Sequence, residues 1–292
     1  MKKPLFIGSC VALITPFTED GIDYGKLEEL IEWHISEGTD AILICGTTGE
    51  TSTMTGEEYR EVLRFAAGRI KNRVHLMMGA GSNDTRHAVE LSKYCESIGA
   101  DSILSVTPYY NKTTQEGLYQ HFKAIAESVG IPVVVYNVPS RTGLNINPST
   151  LRRLSEIPNI AAVKECNLMQ VAETAYLCGD NLVQYSGEDG NVVPLLALGG
   201  KGVISVAANI IPADIHKMVH SFMEGDLETS RRMQIRLDPL VKALFCETSP
   251  IPVKAAMNLM GMNVGRCRLP LVDISPQGME TLKKAMRDYG LI

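Results

Sequence analysis

Eight short apolar runs, each followed by a helix-like stretch, constrain this chain more than any other feature. The runs are Cys10–Ile14, Ala41–Cys45, Val74–Met78, Ser102–Val106, Pro132–Tyr136, Ile160–Lys164, Leu182–Ser186 and Gly202–Val206. They are nearly continuous in apolar character, as strands buried on both faces are. Helix-like segments such as Tyr24–Ser36, Glu57–Arg69, Thr85–Ser97 and Gln115–Ser128 lie between them. Thr55 and Glu58 have the spacing of a capping box, and Asn83-Asp84 can cap the next helix. Eight alternations favour a closed (β/α)8 TIM barrel, an α/β fold, over an open doubly wound sheet. After Val206 the strand signal stops. Ile211–Met223 supplies the eighth barrel helix, and Leu227–Phe245, Ile251–Met260 and Pro276–Tyr289 read as further helices. The expected organisation is a catalytic barrel over residues 1–225 and a C-terminal helical extension over 226–292, packed on it.

Composition narrows the function classes. With 45% hydrophobic and 21% charged residues, the 292-residue chain has the balance of a globular protein. A formal net charge of −5 argues against a nucleic-acid partner. No apolar run reaches the roughly 18 residues of a membrane helix, so no membrane partner is expected. Seven cysteines without a C-x-x-C pair read as a reduced, cytoplasmic protein with neither a disulfide framework nor a zinc site. Met1-Lys2-Lys3 before apolar Pro4 to Val11 has the outline of a signal peptide. No small-x-small cleavage site follows, and Gly8 to Thr15 is needed as a strand, so none is expected.

Barrel active sites lie at the C-terminal ends of the strands. The residues that follow the runs are Gly46-Thr47-Thr48-Gly49-Glu50, Gly79-Ala80-Gly81, Thr107-Pro108-Tyr109-Tyr110-Asn111, Tyr136 to Gly143, Lys164-Glu165 and Ser186-Gly187-Glu188-Asp189. Lys164 and Glu165 point to opposite faces, because strand side chains alternate. If Lys164 points inward, burial favours its neutral amine, which can attack a ketone and form a Schiff base. The competing reading is a lysine that snorkels outward to a carboxylate. Tyr136, Thr47 and Tyr110 can pass protons; each can equally satisfy a local hydrogen bond. Thr48, between glycines, can grip a carboxylate through backbone amides, or simply turn the chain. Arg141 has the fork that suits a carboxylate, or is a solvated surface residue. Gly79-Ala80-Gly81 lacks the third glycine of a dinucleotide site. His216 and His220 are one helical turn apart, but no glutamate base lies between them, so they read as a polar helix face.

Taken in order, several motifs are familiar. Gly46-Thr47-Thr48-Gly49-Glu50, Val106-Thr107-Pro108-Tyr109-Tyr110-Asn111, Tyr136-Asn137-Val138-Pro139-Ser140-Arg141-Thr142-Gly143 and Val163-Lys164-Glu165 resemble the dihydrodipicolinate synthase family, within the class I aldolase and N-acetylneuraminate lyase superfamily. Gly202-Val203-Ile204-Ser205-Val206 and Pro250-Ile251-Pro252-Val253-Lys254 agree with it, and the resemblance spans essentially the whole chain. It implies a barrel with a C-terminal helical extension, no metal and no organic cofactor. It implies a lyase that condenses pyruvate with L-aspartate 4-semialdehyde, the first committed step toward diaminopimelate and lysine. Residue by residue, it implies that Lys164 forms the Schiff base, Tyr136 relays protons and orients pyruvate, and Thr47 links Tyr136 to Tyr110. Tyr110 would reach into the neighbouring subunit's site across a tight dimer interface. Thr48 would hold the pyruvate carboxylate, Arg141 the carboxylate of the aldehyde, and Gly187 and Ile204 would line the pyruvate pocket. The family's usual form is a homotetramer of tight dimers, with some dimers. Cys166-Asn167 depart from the family's more usual small or hydroxyl residues.

Two other readings compete. A related aldolase such as N-acetylneuraminate lyase would share the loop, the tyrosine and the lysine, but its uncharged aldehyde needs no arginine at position 141. A silent barrel that only senses a keto acid would be marked by loss of Lys164 or Tyr136, and both are present.

Overall fold

The structure, a computed structural model, describes residues 2–70 and 72–292. Its elements run β1 (Gly8–Ala12), α1 (Tyr24–Ser36), β2 (Ala41–Ile44), α2 (Gly56–Ile70), β3 (His75–Gly79), α3 (Thr85–Ser97), β4 (Ser102–Val106), α4 (Gln115–Glu127) and β5 (Val133–Asn137). Then come α5 (Pro139–Thr142), α6 (Pro148–Ser155), β6 (Ile160–Glu165), α7 (Val171–Cys178), β7 (Val183–Ser186), α8 (Val192–Ala197) and β8 (Gly202–Ser205). The chain continues with α9 (Pro212–Met223), α10 (Leu227–Leu244), α11 (Ile251–Leu259) and α12 (Pro276–Tyr289). The strands among the described residues follow chain order, β1 to β8, in a closed barrel. Met1, where the signal-peptide outline begins, lies outside the described residues. No helix among them is long and apolar enough to cross a membrane.

Cα packing divides the chain into two compact units. One takes in His75–Ile204 together with the chain's start up to Ile7; the other takes in Gly8–Val74 and Ser205–Ile292. In the first, β4, β5, β6 and β7 pair in parallel, and the register sets Val106 beside Tyr136, Tyr136 beside Lys164, and Asn137 beside Glu165. These strands are buried almost throughout, which explains their unbroken apolar sequence. Asp84 caps α3 by accepting from Arg86 N at 3.0 Å, as its sequence position suggested.

In the second unit β1 pairs with β2, Cys10 beside Ala41 and Ala12 beside Leu43. The capping box of α2 forms reciprocally: Thr55 N donates to Glu58 Oε2 at 2.9 Å, and Glu58 N to Thr55 Oγ1 at 3.1 Å. Helices α10, α11 and α12 bury Leu240, Leu244, Met257, Leu282 and Met286. β1 starts and ends two residues before the apolar run that predicts it. Its entry is anchored where Ser9 N meets the Asp40 carboxylate at 2.7 Å. Beyond Ala12, Ile14 N turns from the strand ladder to the side chain of Asn209, at 3.1 Å.

Candidate active site

The parallel register of β5 and β6 brings Tyr136 and Lys164 together at the C-terminal ends of their strands. Both are buried, and Lys164 Nζ sits 4.3 Å from the centre of the Tyr136 ring. Burial raises the Tyr136 phenol well above its usual value; nearby Cys166 adds to this and Arg141 opposes it. The phenol is therefore a proton donor at neutral pH. Cys166, half-buried, is pushed up to about 12 by desolvation, against the pull of Lys164. Glu188 is raised by burial, while its hydrogen bond to Cys166 and the charges of Lys164 and Arg141 act the other way. An amine, a protonated phenol and a partly desolvated carboxyl thus share one site. That combination can add a nucleophile to a carbonyl and move the protons the addition requires.

Gly187 keeps the space beside the lysine open. A Cβ there would stand 2.4 Å from Cys166 Sγ and 3.2 Å from Lys164 Cε. Ile204, on β8, is buried. Arg141 lies exposed on the short helix α5. That helix ends at Gly143, whose φ of +65° suits a residue without a Cβ. Thr107 Oγ1 donates to Thr142 Oγ1 at 3.0 Å, tying the exit of β4 to α5.

Glu165 points away from Lys164 into a network of amides. It accepts from Asn137 Nδ2 at 2.8 Å, Asn167 N at 2.7 Å and Gln170 Nε2 at 2.7 Å. Asn137 Oδ1 takes Ile146 N at 3.0 Å, so the network also pins the segment after α5. Burial raises the Glu165 carboxyl to about 7 despite these donors.

Tyr110 does not join Tyr136 and Lys164 within this chain: its side chain is 94% exposed, whereas theirs are buried. It stands at φ +68°, a strained value for a non-glycine residue. An amide clasp holds the turn: Asn83 Nδ2 donates to Tyr109 O at 3.1 Å, and Asn111 Nδ2 to Asn83 O at 2.9 Å.

Thr47 and Thr48 belong to the other compact unit, in a 3-10 turn directly after β2. Thr48 is buried and Thr47 exposed. The turn is braced by Thr51 Oγ1 on Gly46 O at 3.0 Å and Thr15 Oγ1 on Gly49 O at 2.8 Å. At its end Glu50 adopts φ +56° and is fully buried against Lys254 Nζ at 2.9 Å. Arg268 N donates to its other oxygen at 2.8 Å.

Sequence reasoning passed over Cys166 and Glu188 as members of the site. Their signal was weak but present, since Cys166 directly follows the end of β6 and Glu188 lies two residues past the end of β7.

A model of the dihydrodipicolinate synthetase family matches residues 5–289. The 4-hydroxy-tetrahydrodipicolinate synthase of Acetivibrio thermocellus is 62% identical over 292 residues, which is 100% of each chain. A crystal structure of dihydrodipicolinate synthase from Aquifex aeolicus has a TM-score of 0.95 at 45% identity, covering 98% of this chain and 99% of that one. The chloride-inhibited dihydrodipicolinate synthase from Acinetobacter baumannii, complexed with pyruvate, has a TM-score of 0.95 at 42% identity, with 98% and 99% covered.

Proposed function

Since the chain belongs to the dihydrodipicolinate synthetase family, we propose that its activity, that of a 4-hydroxy-tetrahydrodipicolinate synthase, runs through a Schiff base on Lys164. The observation that carries this reading is the buried Lys164 amine 4.3 Å from the Tyr136 ring, beside the open space at Gly187. The pyruvate named with the Acinetobacter baumannii relative supplies the ketone. Lys164 Nζ adds to C2 of pyruvate, and the carbinolamine loses water to give an iminium. The iminium accepts the electron pair of a C3–H bond as that proton passes to Tyr136. The enamine attacks the aldehyde carbon of L-aspartate 4-semialdehyde, whose oxygen takes the proton back. The amine of that substrate then displaces Lys164 from the new iminium to release the cyclic product. Tyr136 donates the proton that lets the carbinolamine oxygen depart as water.

The family resemblance assigns proton relay to Thr47 and Tyr110, the pyruvate carboxylate to Thr48, the aldehyde's carboxylate to Arg141, and pocket lining to Gly187 and Ile204. A bidentate guanidinium–carboxylate contact agrees with Arg141's exposed place on α5. No metal or organic cofactor is part of this scheme; the pyruvate adduct itself is the electron sink. An exposed Tyr110 held on a strained turn agrees with a homo-oligomer built on tight dimers, a tetramer in the family's usual form. Seven free cysteines agree with a cytoplasmic setting.

Borohydride reduction in the presence of pyruvate tests the reading. One peptide, that carrying Lys164, should gain a pyruvate-derived mass, and Lys164→Arg should lose both the label and most activity. Label on another peptide, or none, refutes the mechanism. Arg141→Ala should still take the label but condense poorly with aspartate semialdehyde. An assay with N-acetylmannosamine in place of that aldehyde should give no turnover.

A further inference from the structure

His216 and His220 lie one turn apart on α9, and sequence alone reads them as a polar helix face. The fold adds a third group from a distant segment. Asp40, the residue before β2, places Oδ2 2.9 Å from His216 Nδ1 and Oδ1 3.0 Å from His220 Nε2. The two rings stack with centroids 4.0 Å apart. The carboxylate is fixed from behind. Ser9 N donates to Oδ2 at 2.7 Å, and a Cβ at Gly8 would come within 1.9 Å of the same oxygen. All three donor atoms lie within 4.8 Å of one another.

Charge separates this cluster from an ordinary polar face. The Asp40 side chain is only 17% exposed, and among the described residues its ion-pair partners are the two imidazoles. No lysine or arginine among the described residues pairs with it. A withdrawn carboxylate in that position calls for a positive charge. Two imidazole nitrogens and one carboxylate oxygen are the donor set of borderline divalent cations such as Zn2+ and Co2+. Tetrahedral bonds of about 2.0–2.1 Å would put donor atoms about 3.3 Å apart, inside the 4.8 Å within which one donor atom of each residue lies of the others. The imidazoles are about one-third exposed, at 33% and 31%, which leaves a side open for a water ligand.

We propose that Asp40, His216 and His220 form a binding site for a divalent cation of the Zn2+ class. It lies where β1 and β2 begin, whereas Thr47 and Thr48 follow the end of β2, so the ion would be structural and not catalytic. On binding, each neutral ring gives its Asp40-facing lone pair to the metal and carries its proton on the other nitrogen. A protonated ring must release that proton, so acid weakens binding.

The test is a titration of chelator-treated enzyme with Co2+, followed by Zn2+ displacement. The expected result is one Co2+ per chain with visible d–d bands, displaced by one Zn2+. His220→Gln should weaken this uptake roughly tenfold or more, as should the double variant His216→Asn/His220→Gln. Both should keep synthase activity in metal-free buffer. The single variant retains the His216–Asp40 contact, so it serves if the double variant does not fold. No uptake at submillimolar metal, unchanged uptake in His220→Gln, or intense near-ultraviolet thiolate charge-transfer bands each overturns the proposal.

Discussion

Two buried glutamates, each one or two residues past a candidate site residue, meet opposite surroundings. Glu50 ends the Thr47-Thr48 turn and faces the ammonium of Lys254 at 2.9 Å. That ammonium also donates to Thr15 O at 3.1 Å and Arg266 O at 2.7 Å, and lies 4.5 Å from the centre of the Phe17 ring. Glu165 follows Lys164 and is 2% exposed, the same as Glu50, yet it faces the amides of Asn137, Asn167 and Gln170. Depth is therefore not what distinguishes them. Burial lowers the Lys254 ammonium, and the facing Glu50 opposes that shift. Amides solvate Glu165 without neutralising it, and its carboxyl rises to about 7. One site motif is anchored by an ion pair and the other by a network whose charge state changes near neutral pH.

The largest effect should come from removing the cation. Lys254→Met leaves Glu50 buried without a counter-charge and should cost about 3–5 kcal/mol in urea unfolding. Adding Glu50→Gln should recover part of that loss. A cost below about 1 kcal/mol would erase the contrast, because it would mean Glu50 never depended on its ion pair.

Glu165→Gln should reveal the other regime through pH. The folded carboxyl, at about 7, lies above its unfolded value of about 4.3. Its contribution is therefore fully present below the unfolded value and is lost as pH rises through about 7. Wild-type stability relative to Glu165→Gln should fall by on the order of a few kcal/mol between about pH 5 and about pH 8. Urea melts showing a difference flat with pH would place Glu165 in the same class as Glu50.

Glu58 offers a smaller, opposite-signed control. Its bidentate hydrogen bonds to Arg268 lower it to about 2. Its contribution is present above about 4.3 and lost as pH falls through about 2. The pair is about one-quarter exposed, so solvent screening reduces its worth to about 1 kcal/mol. Glu58→Gln should lower the Tm modestly at neutral pH, and the difference from wild type should close in acid. A gap that widens in acid would contradict the assignment.

Much of the fold was legible in sequence because its signals are local. A buried strand writes itself as an apolar run and a helix as a 3.6-residue stripe; both are complete within a few residues. The capping box of α2 needed only Thr55 and Glu58. The meeting of Tyr136 and Lys164 at strand ends follows from the same rhythm, since parallel neighbours put equivalent positions side by side. The tertiary structure alone decided the partners that no local pattern encodes. Asp40 finds His216 across 176 residues, and Glu50 finds Lys254 across 204. Cys166 and Glu188 became members of the Lys164 site only when β6 and β7 paired. The apolar run predicted β1 two residues late, because the ends of that strand are set by Asp40 and Asn209. Backbone propensity acts within a turn or two of chain, whereas a carboxylate's counter-charge is chosen by whatever the fold brings within about 3–4 Å.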